Sequence, residues 1–156
     1  MSVIVTKAQQ QIKQAVADAA ALAHEKGALP TAELSDYAIE VPKDRAFGDY
    51  SINAAMVNSR TMRKSPRDIA AALIENINLN GTYFNRIEVA GPGFINLYIS
   101  DRYYADILLD INAQGDSYGR SDYGKGETFN VEFVSATPPG PMHMGNARGG
   151  ALGDCL

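Results

Sequence analysis

The stretch that decides the fold is YFNRIEVAGPGFINLYI, residues 83–99. Two β-prone runs flank the sequence GPG at 91–93, and a cluster of glycine and proline is typical of a turn. In the second run, Phe94, Leu97 and Ile99 stand among polar or small residues. The pattern predicts two consecutive strands joined by this turn.

A long helix is predicted at the start of the chain. Thr6 and Gln9 form the T-x-x-Q pattern of a capping box, which predicts a helix start there. Apolar residues then recur at helical spacing until the breakers Gly27 and Pro30. The predicted buried face contains Ile12, Val16, Ala19 and Ala23.

A second helix is predicted to start at Ser65-Pro66, because proline at the first helical position loses no needed hydrogen bond and serine can cap. Its predicted buried stripe is Ile69, Leu73 and Ile77.

A third helix is predicted between Ser100, as its cap, and Gly115, where it ends. The predicted apolar face contains Tyr104, Ile107, Leu108 and Ile111.

Between the first two helices, YAIEV at 37–41 predicts a strand, and SINAAMVNSRTM at 51–62 is compatible with a helix.

Helices and strands occur in blocks, which favours the α+β class, with an antiparallel sheet packed by helices in residues 1–114. The glycine-rich polar stretch 115–126 is predicted to be a linker. In residues 127–156, TFNVEFVSA at 128–136 predicts a buried strand that leads into a loop and a helix near Gly145. This strand-loop-helix is the expected first unit of a Rossmann-like nucleotide-binding fold.

Five of the fourteen glycines lie between Gly140 and Gly153. Glycine costs about 1 kcal/mol relative to alanine inside a helix, so Gly149, Gly150 and Gly153 predict a close neighbour that excludes side chains. The spacing matches neither G-x-G-x-x-G nor the P-loop, which disfavours both motifs.

Composition excludes several classes of protein. The chain has 156 residues, 46% of them apolar, and a formal charge of -4, which is too acidic for nucleic-acid binding through bulk charge. A single cysteine excludes an internal disulfide framework and any cysteine-built zinc site. No run resembles a membrane span or a signal peptide, so we expect a cytoplasmic protein.

The tetrad His143-Met144-Gly145-Asn146 follows the predicted strand and loop. Two polar side chains at a helix start can donate hydrogen bonds to phosphate oxygens, and Gly145 admits a flat base or ribose to the backbone. The alternative is that His143 is a surface or capping residue.

Residues 131–153, VEFVSATPPGPMHMGNARGGALG, closely resemble the signature VEFVSANPTGPLHVGH of arginyl-tRNA synthetases, a class I family. FGDYSINAAM at 47–56 and VAGPGFINLYIS at 89–100 resemble the N-terminal additional domain of that family. Thr137 and Pro139 replace the usual asparagine and threonine, and Asn146 replaces the second histidine of the HIGH tetrad.

The resemblance implies ATP-dependent joining of arginine to its tRNA through an arginyl-adenylate. Partners are then ATP with its Mg²⁺, arginine and tRNA(Arg), with no protein-bound metal and no membrane. His143 and Asn146 would be catalytic and, with Gly145, would bind ATP. The HIGH-like region is Ala136, Thr137, Pro138, Pro139, Gly140, Pro141, Met142, His143, Met144, Gly145 and Asn146.

For the arginine substrate, the resemblance implies Ser135 and Thr137 as contacts and Glu132 as an electrostatic partner of the cation. The alternative for Glu132 is an exposed or paired strand residue. The chain stops at Leu156, soon after the tetrad, so the resemblance also implies an incomplete and inactive fragment.

For tRNA, the resemblance implies that the first domain contacts the D-loop. Phe94 and Asn96 lie two apart on a strand and so project from one face, where a ring stacks on a base and a carboxamide reads its edge. The alternative is a core phenylalanine beside a polar edge residue.

A basic cluster consists of Arg60, Arg63, Lys64 and Arg67. It either binds phosphates or is a solvated helix end.

Two other functions are compatible with parts of the sequence. One is a stand-alone RNA-binding module, against which the glycine-rich segment after Gly126 counts. The other is a small nucleotidyltransferase. In those enzymes an H-x-G-H-like tetrad usually stands near the N-terminus, and the late position of His143 in this chain counts against that function.

Overall fold

A four-stranded antiparallel sheet with helices on one face forms the first part of the chain. The computed structural model describes residues 3–134 and 140–155, and the chain divides into two units, residues 1–119 and 120–156. The elements of the first unit are α1 Val3–Glu25, β1 Ile39–Glu40, β2 Tyr50–Ile52, α2 Ala54–Met62, α3 Pro66–Asn76, β3 Phe84–Ala90, β4 Phe94–Ile99 and α4 Asp101–Gln114, with 3₁₀ turns at Arg45–Phe47 and Gly115–Ser117. The described part of the second unit contains α5, Met144–Asp154.

The sheet has the order β1-β2-β4-β3, with every neighbouring pair antiparallel. The predicted hairpin is confirmed as β3 and β4, joined through 91–93. Side chains of a strand alternate between faces, so Ile95 and Leu97 of β4 are buried against the helices. Asn96 lies on the other face, which we call the outer face.

The core lies between the sheet and helices α1 to α3. The predicted α1 face is buried, and α1 ends before Gly27 as expected. The capping box at Thr6 is wrong, because α1 already includes Val3 and Thr6 therefore lies inside it. Buried apolar residues include Ala8, Ile12, Val16, Ala19, Ala23, Leu29, Ile52, Ile69, Leu73, Ile95 and Leu97.

Helix α3 starts as predicted, with Ser65 accepting a hydrogen bond from the Asp68 backbone N–H at 3.1 Å. Ile77 lies just beyond the last residue of α3 and packs, partly buried, against the core.

The first turn of α3 also contacts the β3–β4 hairpin. Gly93 has φ of +136°, and a Cβ there would lie 2.6 Å from the Pro66 Cβ, so only glycine permits this approach.

Strand β2 was not predicted. The first two residues of the run 51–62 belong to this strand, and the helix begins only at Ala54. The strand predicted over 37–41 is two residues long, because only Ile39 and Glu40 pair with β2. Pairing with β4, a partner distant in sequence, outweighs local helix compatibility here.

The predicted apolar face of α4 is wrong for three of its four residues. Tyr104, Leu108 and Ile111 are 52%, 66% and 36% exposed, whereas Tyr103 is buried and Ile107 packs partly against the core. Helical periodicity finds an apolar stripe but does not reveal whether a neighbour covers it. Ser100 occupies the N-cap position without a side-chain capping bond.

The strand predicted over 128–136 is wrong for residues 128–134, which have no strand pairing and expose Phe129, Val131, Phe133 and Val134. Its last two residues lie outside the described part. A Rossmann-like start is therefore not established. None of the described helices is long and apolar enough to cross a membrane.

The close neighbour predicted for the glycines of α5 is present. A Cβ on Gly153 would overlap the Phe133 side chain, and one on Gly149 would lie 3.1 Å from the Phe133 carbonyl oxygen. A Cβ on Gly150 would lie 3.3 Å from the Val134 Cγ2. The stretch 133–134 thus lies directly against the glycine face of α5.

Candidate functional site

A cavity of about 350 Å³ lies on the outer face of the sheet. Strands β1, β2 and β4 supply its floor, and the β3–β4 turn and the loop 42–48 supply its walls. The lining residues are Glu40, Pro42, Phe47, Ser51, Ala90, Gly91, Phe94 and Asn96. The volume is within the range of small-ligand sites, and the lining is mainly apolar with few polar groups.

Asn96 is the unusual member of this lining. Its side chain is buried, with 2% exposed, and its Oδ1 accepts a hydrogen bond from the Ser51 Oγ at 2.9 Å. Its Nδ2 is buried as well and has no hydrogen-bond partner among the residues that the structure describes. A buried donor without an acceptor costs about 1 to 3 kcal/mol, so a ligand atom that accepts from Nδ2 would recover this energy.

Two aromatic rings complete the apolar part of the cavity. Phe94 is half-buried and stands two residues before Asn96 on the same face of β4. Phe47, on the 3₁₀ turn, is 53% exposed. A planar ligand would find ring surface and an amide donor in one cavity.

The loop 42–48 is fixed across the end of β4 that is farther from the turn. The Tyr98 hydroxyl donates its one hydrogen mainly to the Glu88 carboxylate, with the Ala46 carbonyl 3.2 Å away as a second acceptor, and the bond to Glu88 raises the pKa of Tyr98. The Arg86 guanidinium lies 3.4 Å above the Tyr98 ring. The contacts of Glu88 and Arg86 fix the Tyr98 side chain, and the contact with Ala46 joins it to the loop.

Gly48 is required at the end of this loop. Its φ is +85°, and a Cβ would lie 2.8 Å from the Leu97 carbonyl oxygen. At the start of the 3₁₀ turn, Asp44 Oδ1 accepts from the Ala46 N–H at 2.9 Å. The position of Phe47 at the cavity therefore follows from an Asx-type turn and a close backbone approach.

The basic cluster surrounds the junction of α2 and α3. Arg63 has φ of +50° and ends α2, so Arg60 and Lys64 lie close in the chain on either side of a tight turn. All four side chains are exposed, and none forms an ion pair with another described residue. Arg67 differs from the others because its Nε donates to the Gly91 carbonyl at 3.0 Å, at the wall of the cavity.

The structure brings Phe94 and Asn96 together at one cavity. The alternative environment, a core ring beside an edge amide, does not describe them, since Asn96 is buried within a central strand. Sequence reasoning missed Phe47, Ser51 and Glu40 as neighbours. The Asp44 turn and Gly48 are sequence signals for the position of Phe47, whereas no local signal marks Ser51, because the run 51–62 is compatible with a helix.

At the start of α5, His143 and Asn146 cap their own helix. His143 Nδ1 accepts from the Gly145 N–H at 3.0 Å, and Asn146 Oδ1 accepts from the His143 N–H at 3.1 Å. A neutral imidazole that accepts at Nδ1 carries its proton on Nε2. Capping therefore uses the acceptor atoms and leaves Nε2–H and the Asn146 amide hydrogens as donors.

The remaining predicted site residues are less informative. Glu132 is exposed in the stretch 128–134, which forms no strand. Ser135 and Thr137, together with the rest of 135–139, lie outside the described residues. Gly140, Pro141, Met142 and Met144 are exposed.

A prediction about stability follows from the unpartnered Nδ2 of Asn96. Asn96→Leu should raise the free energy of unfolding by about 1 kcal/mol, because it removes an unsatisfied buried donor and keeps the number and branching of the side-chain heavy atoms, while the half-buried Ser51 hydroxyl, which loses its acceptor, can turn to water. The measurement is urea denaturation of the 156-residue chain.

Asn58→Leu is the matched control. Asn58 is equally buried, but its Nδ2 donates to the Ala54 carbonyl and its Oδ1 accepts from the Ser35 N–H, both at 2.8 Å. This variant should lose about 2 kcal/mol, since it leaves backbone groups unpaired. If Asn96→Leu and Asn58→Leu lower the free energy of unfolding equally, Asn96 Nδ2 has a hydrogen-bond partner in solution.

Comparison with known proteins identifies the family. The model for the arginyl tRNA synthetase N terminal domain matches residues 6–99, more than half of the chain. The arginine–tRNA ligases of Acetivibrio thermocellus and Caldanaerobacter subterraneus subsp. tengcongensis are 44% and 45% identical over all 156 residues. The chain spans 28% of the length of each.

Among solved structures, arginyl-tRNA synthetase from Plasmodium falciparum aligns with 62% of this chain and 17% of its own, at 22% identity and a TM-score of 0.45. The match of residues 6–99 to the family model and the identity to the ligases point to the same family. The chain therefore belongs to the arginyl-tRNA synthetase family, with an N-terminal domain of that family in residues 6–99.

Proposed function

We propose that the chain works as the N-terminal part of an arginine–tRNA ligase, in which the outer-face cavity takes one unstacked base of the tRNA D-loop. The observation that carries this proposal is the buried, unpartnered Nδ2 of Asn96 in a cavity lined by Phe94. Family membership supplies the class of ligand, since the related proteins are arginine–tRNA ligases.

The chemistry of the cavity suits a nucleobase. Single-stranded RNA is commonly recognised by stacking of a splayed base on an aromatic ring and by hydrogen bonds to its edge. Phe94 supplies the ring, and Asn96 Nδ2 supplies a donor for a ring nitrogen or carbonyl of the base. Glu40, an exposed carboxylate at the lining, accepts from an exocyclic amine.

The charge distribution is consistent with local contact to RNA. The chain is acidic overall, so long-range attraction to phosphate is weak. Arg60, Arg63 and Lys64 nevertheless form an exposed group of cations. We propose that this group binds tRNA phosphates without reading sequence.

A binding experiment tests the base contact. Phe94→Ala should weaken binding of an arginine-accepting tRNA transcript by about 1 to 3 kcal/mol, the range for loss of one stacked base. Asn96→Ala should reduce the discrimination between transcripts that differ at one D-loop base. Fluorescence anisotropy with the 156-residue chain measures both effects.

Arg63→Gln is the contrasting variant. It should weaken all transcripts alike and leave their ratio unchanged, because phosphate contacts carry no sequence information. If Asn96→Ala discriminates between the transcripts as well as the unmodified chain does, the cavity does not read a base.

For the second unit, we propose that the start of α5 contributes to the ATP site. His143 Nε2–H and the Asn146 amide stand at a helix N-terminus, where backbone N–H groups and the helix dipole favour phosphate. In adenylate formation the arginine carboxylate attacks the α-phosphate, and donors that meet the growing charge lower the barrier. ATP and its Mg²⁺ are substrates in this scheme.

The arginine contacts belong to the same proposal. Ser135 and Thr137 would meet the α-amino and carboxylate groups, and Glu132 would attract the cationic substrate. Because the described residues around α5 are largely exposed, we propose that the 156-residue chain alone does not enclose ATP and forms no adenylate. In this proposal the 156-residue chain contributes to catalysis only as part of a longer ligase.

A chimera tests His143. In it, these 156 residues replace the matching segment of the Acetivibrio thermocellus ligase. His143→Ala should slow arginine-dependent ATP–pyrophosphate exchange by about 2 to 4 kcal/mol of activation free energy, the scale for loss of one donor to developing charge.

His143→Asn separates the donor role from helix capping. Asparagine is a strong N-cap residue but lacks the reach of Nε2, so this variant should lose as much activity as His143→Ala. Recovery of the exchange rate by His143→Asn would show that His143 acts only as the cap of α5.

A further inference from the structure

The two ends of the cavity differ in how they are closed. At one end the loop 42–48 is joined to β4 by the contact of the Tyr98 hydroxyl with the Ala46 carbonyl and by the approach of Gly48 to Leu97. At the other end lies the turn 91–93, of which Gly91 lines the cavity. Among the described residues, the turn end carries no such contact to the loop 42–48, and it is the end nearer to α3.

The charges around the cavity also differ. Glu40 lines it, and Glu88 is paired in register with Asn96 on the neighbouring strand β3. Each carboxylate disfavours a phosphate directly beside it, while the cations Lys43 and Arg45 on the loop 42–48 and Arg86 over the Tyr98 ring lie toward the loop end. Arg67 stands at the turn, where its Nε donates to the Gly91 carbonyl at 3.0 Å.

The position of Arg67 is set by the packing of the turn on α3. Gly93 approaches Pro66 so closely that a Cβ would lie 2.6 Å from the Pro66 Cβ and 2.8 Å from its carbonyl carbon. Arg67 is the next residue of the same helical turn. The bond to Gly91 holds its guanidinium at the turn 91–93, of which Gly91 lines the cavity, and the other guanidinium N–H groups have no partner within residues 3–134 and 140–155.

We propose that Arg67 binds the phosphate of the nucleotide whose base occupies the cavity, so that the RNA backbone leaves across the turn 91–93. The inference rests on the proposed function. It distinguishes Arg67 from Arg60, Arg63 and Lys64, which make no such contact with the cavity wall. Arginine suits this place because its planar fork binds phosphate while one N–H stays on a carbonyl.

The experiment is a salt titration of binding between the 156-residue chain and an arginine-accepting tRNA transcript in KCl. Arg67→Gln keeps a donor for the Gly91 carbonyl but removes the charge. It should reduce the slope of log K against log[KCl] by about 0.7, the value for one phosphate contact on a single strand. The affinity ratio between transcripts that differ at one D-loop base should not change.

Two variants are controls. Arg67→Lys keeps the charge and should keep the slope. Lys13→Gln removes an exposed cation from α1, on the helical side of the sheet, and should also keep the slope. An unchanged slope for Arg67→Gln, or an equal decrease for Lys13→Gln, would overturn the inference.

The same titrations include Asn96→Ala, which separates this inference from the proposed function. If Asn96→Ala alters base discrimination while Arg67→Gln leaves the slope unchanged, the cavity binds a base and the phosphate contact is wrong. If Asn96→Ala has no effect, or the unmodified chain binds no transcript, both the proposed function and the inference fail.

Discussion

The first unit depends on the two-residue alternation of β4, a strand that is paired on both sides. Ile95 and Leu97 face the helices and are buried, while Phe94, Asn96 and Tyr98 face outward. Because the pairing with β2 and β3 fixes the register, a slip of one residue would exchange the core with the outer face. The same pairing thus builds the core and places an aromatic ring and an amide at one cavity.

The outer face retains groups that the fold does not need for stability. Ser51 satisfies one end of the Asn96 amide and no described residue satisfies the other. Asn58, by contrast, has both ends of its amide bonded to backbone groups and secures the structure around α2. A buried donor that no described residue satisfies calls for an explanation, and the acceptor atom of a ligand in the cavity is the one that we propose.

Much of the fold could be predicted from local sequence. The β3–β4 hairpin follows from its breaker at 91–93, and α3 follows from Ser65 and Pro66. Strand β2 could not be predicted in this way, because its three residues become a strand only through pairing with β4. The exposure of the α4 face and the absence of pairing in 128–134 depend likewise on neighbours that no local pattern contains.

The candidate site shows the same limit. Phe94 and Asn96 were predictable as a pair because strand periodicity places them on one face. Phe47, Ser51 and Glu40 come from segments distant in the chain, and only the sheet order brings them to the cavity. Likewise, the sequence predicted a basic cluster but not the single bond from Arg67 to Gly91 that distinguishes one cation from the rest.

The most direct test of the central claim is the ¹⁵N–¹H spectrum of the side-chain amides of the 156-residue chain during titration with an arginine-accepting tRNA transcript. If a base accepts a hydrogen bond from Asn96 Nδ2, the Asn96 amide resonances should shift downfield. The amides of Asn58 and Asn76, which already donate to the Ala54 and Ala72 carbonyls at 2.8 Å, should not move. Binding of the transcript with the Asn96 resonances unchanged would contradict the account.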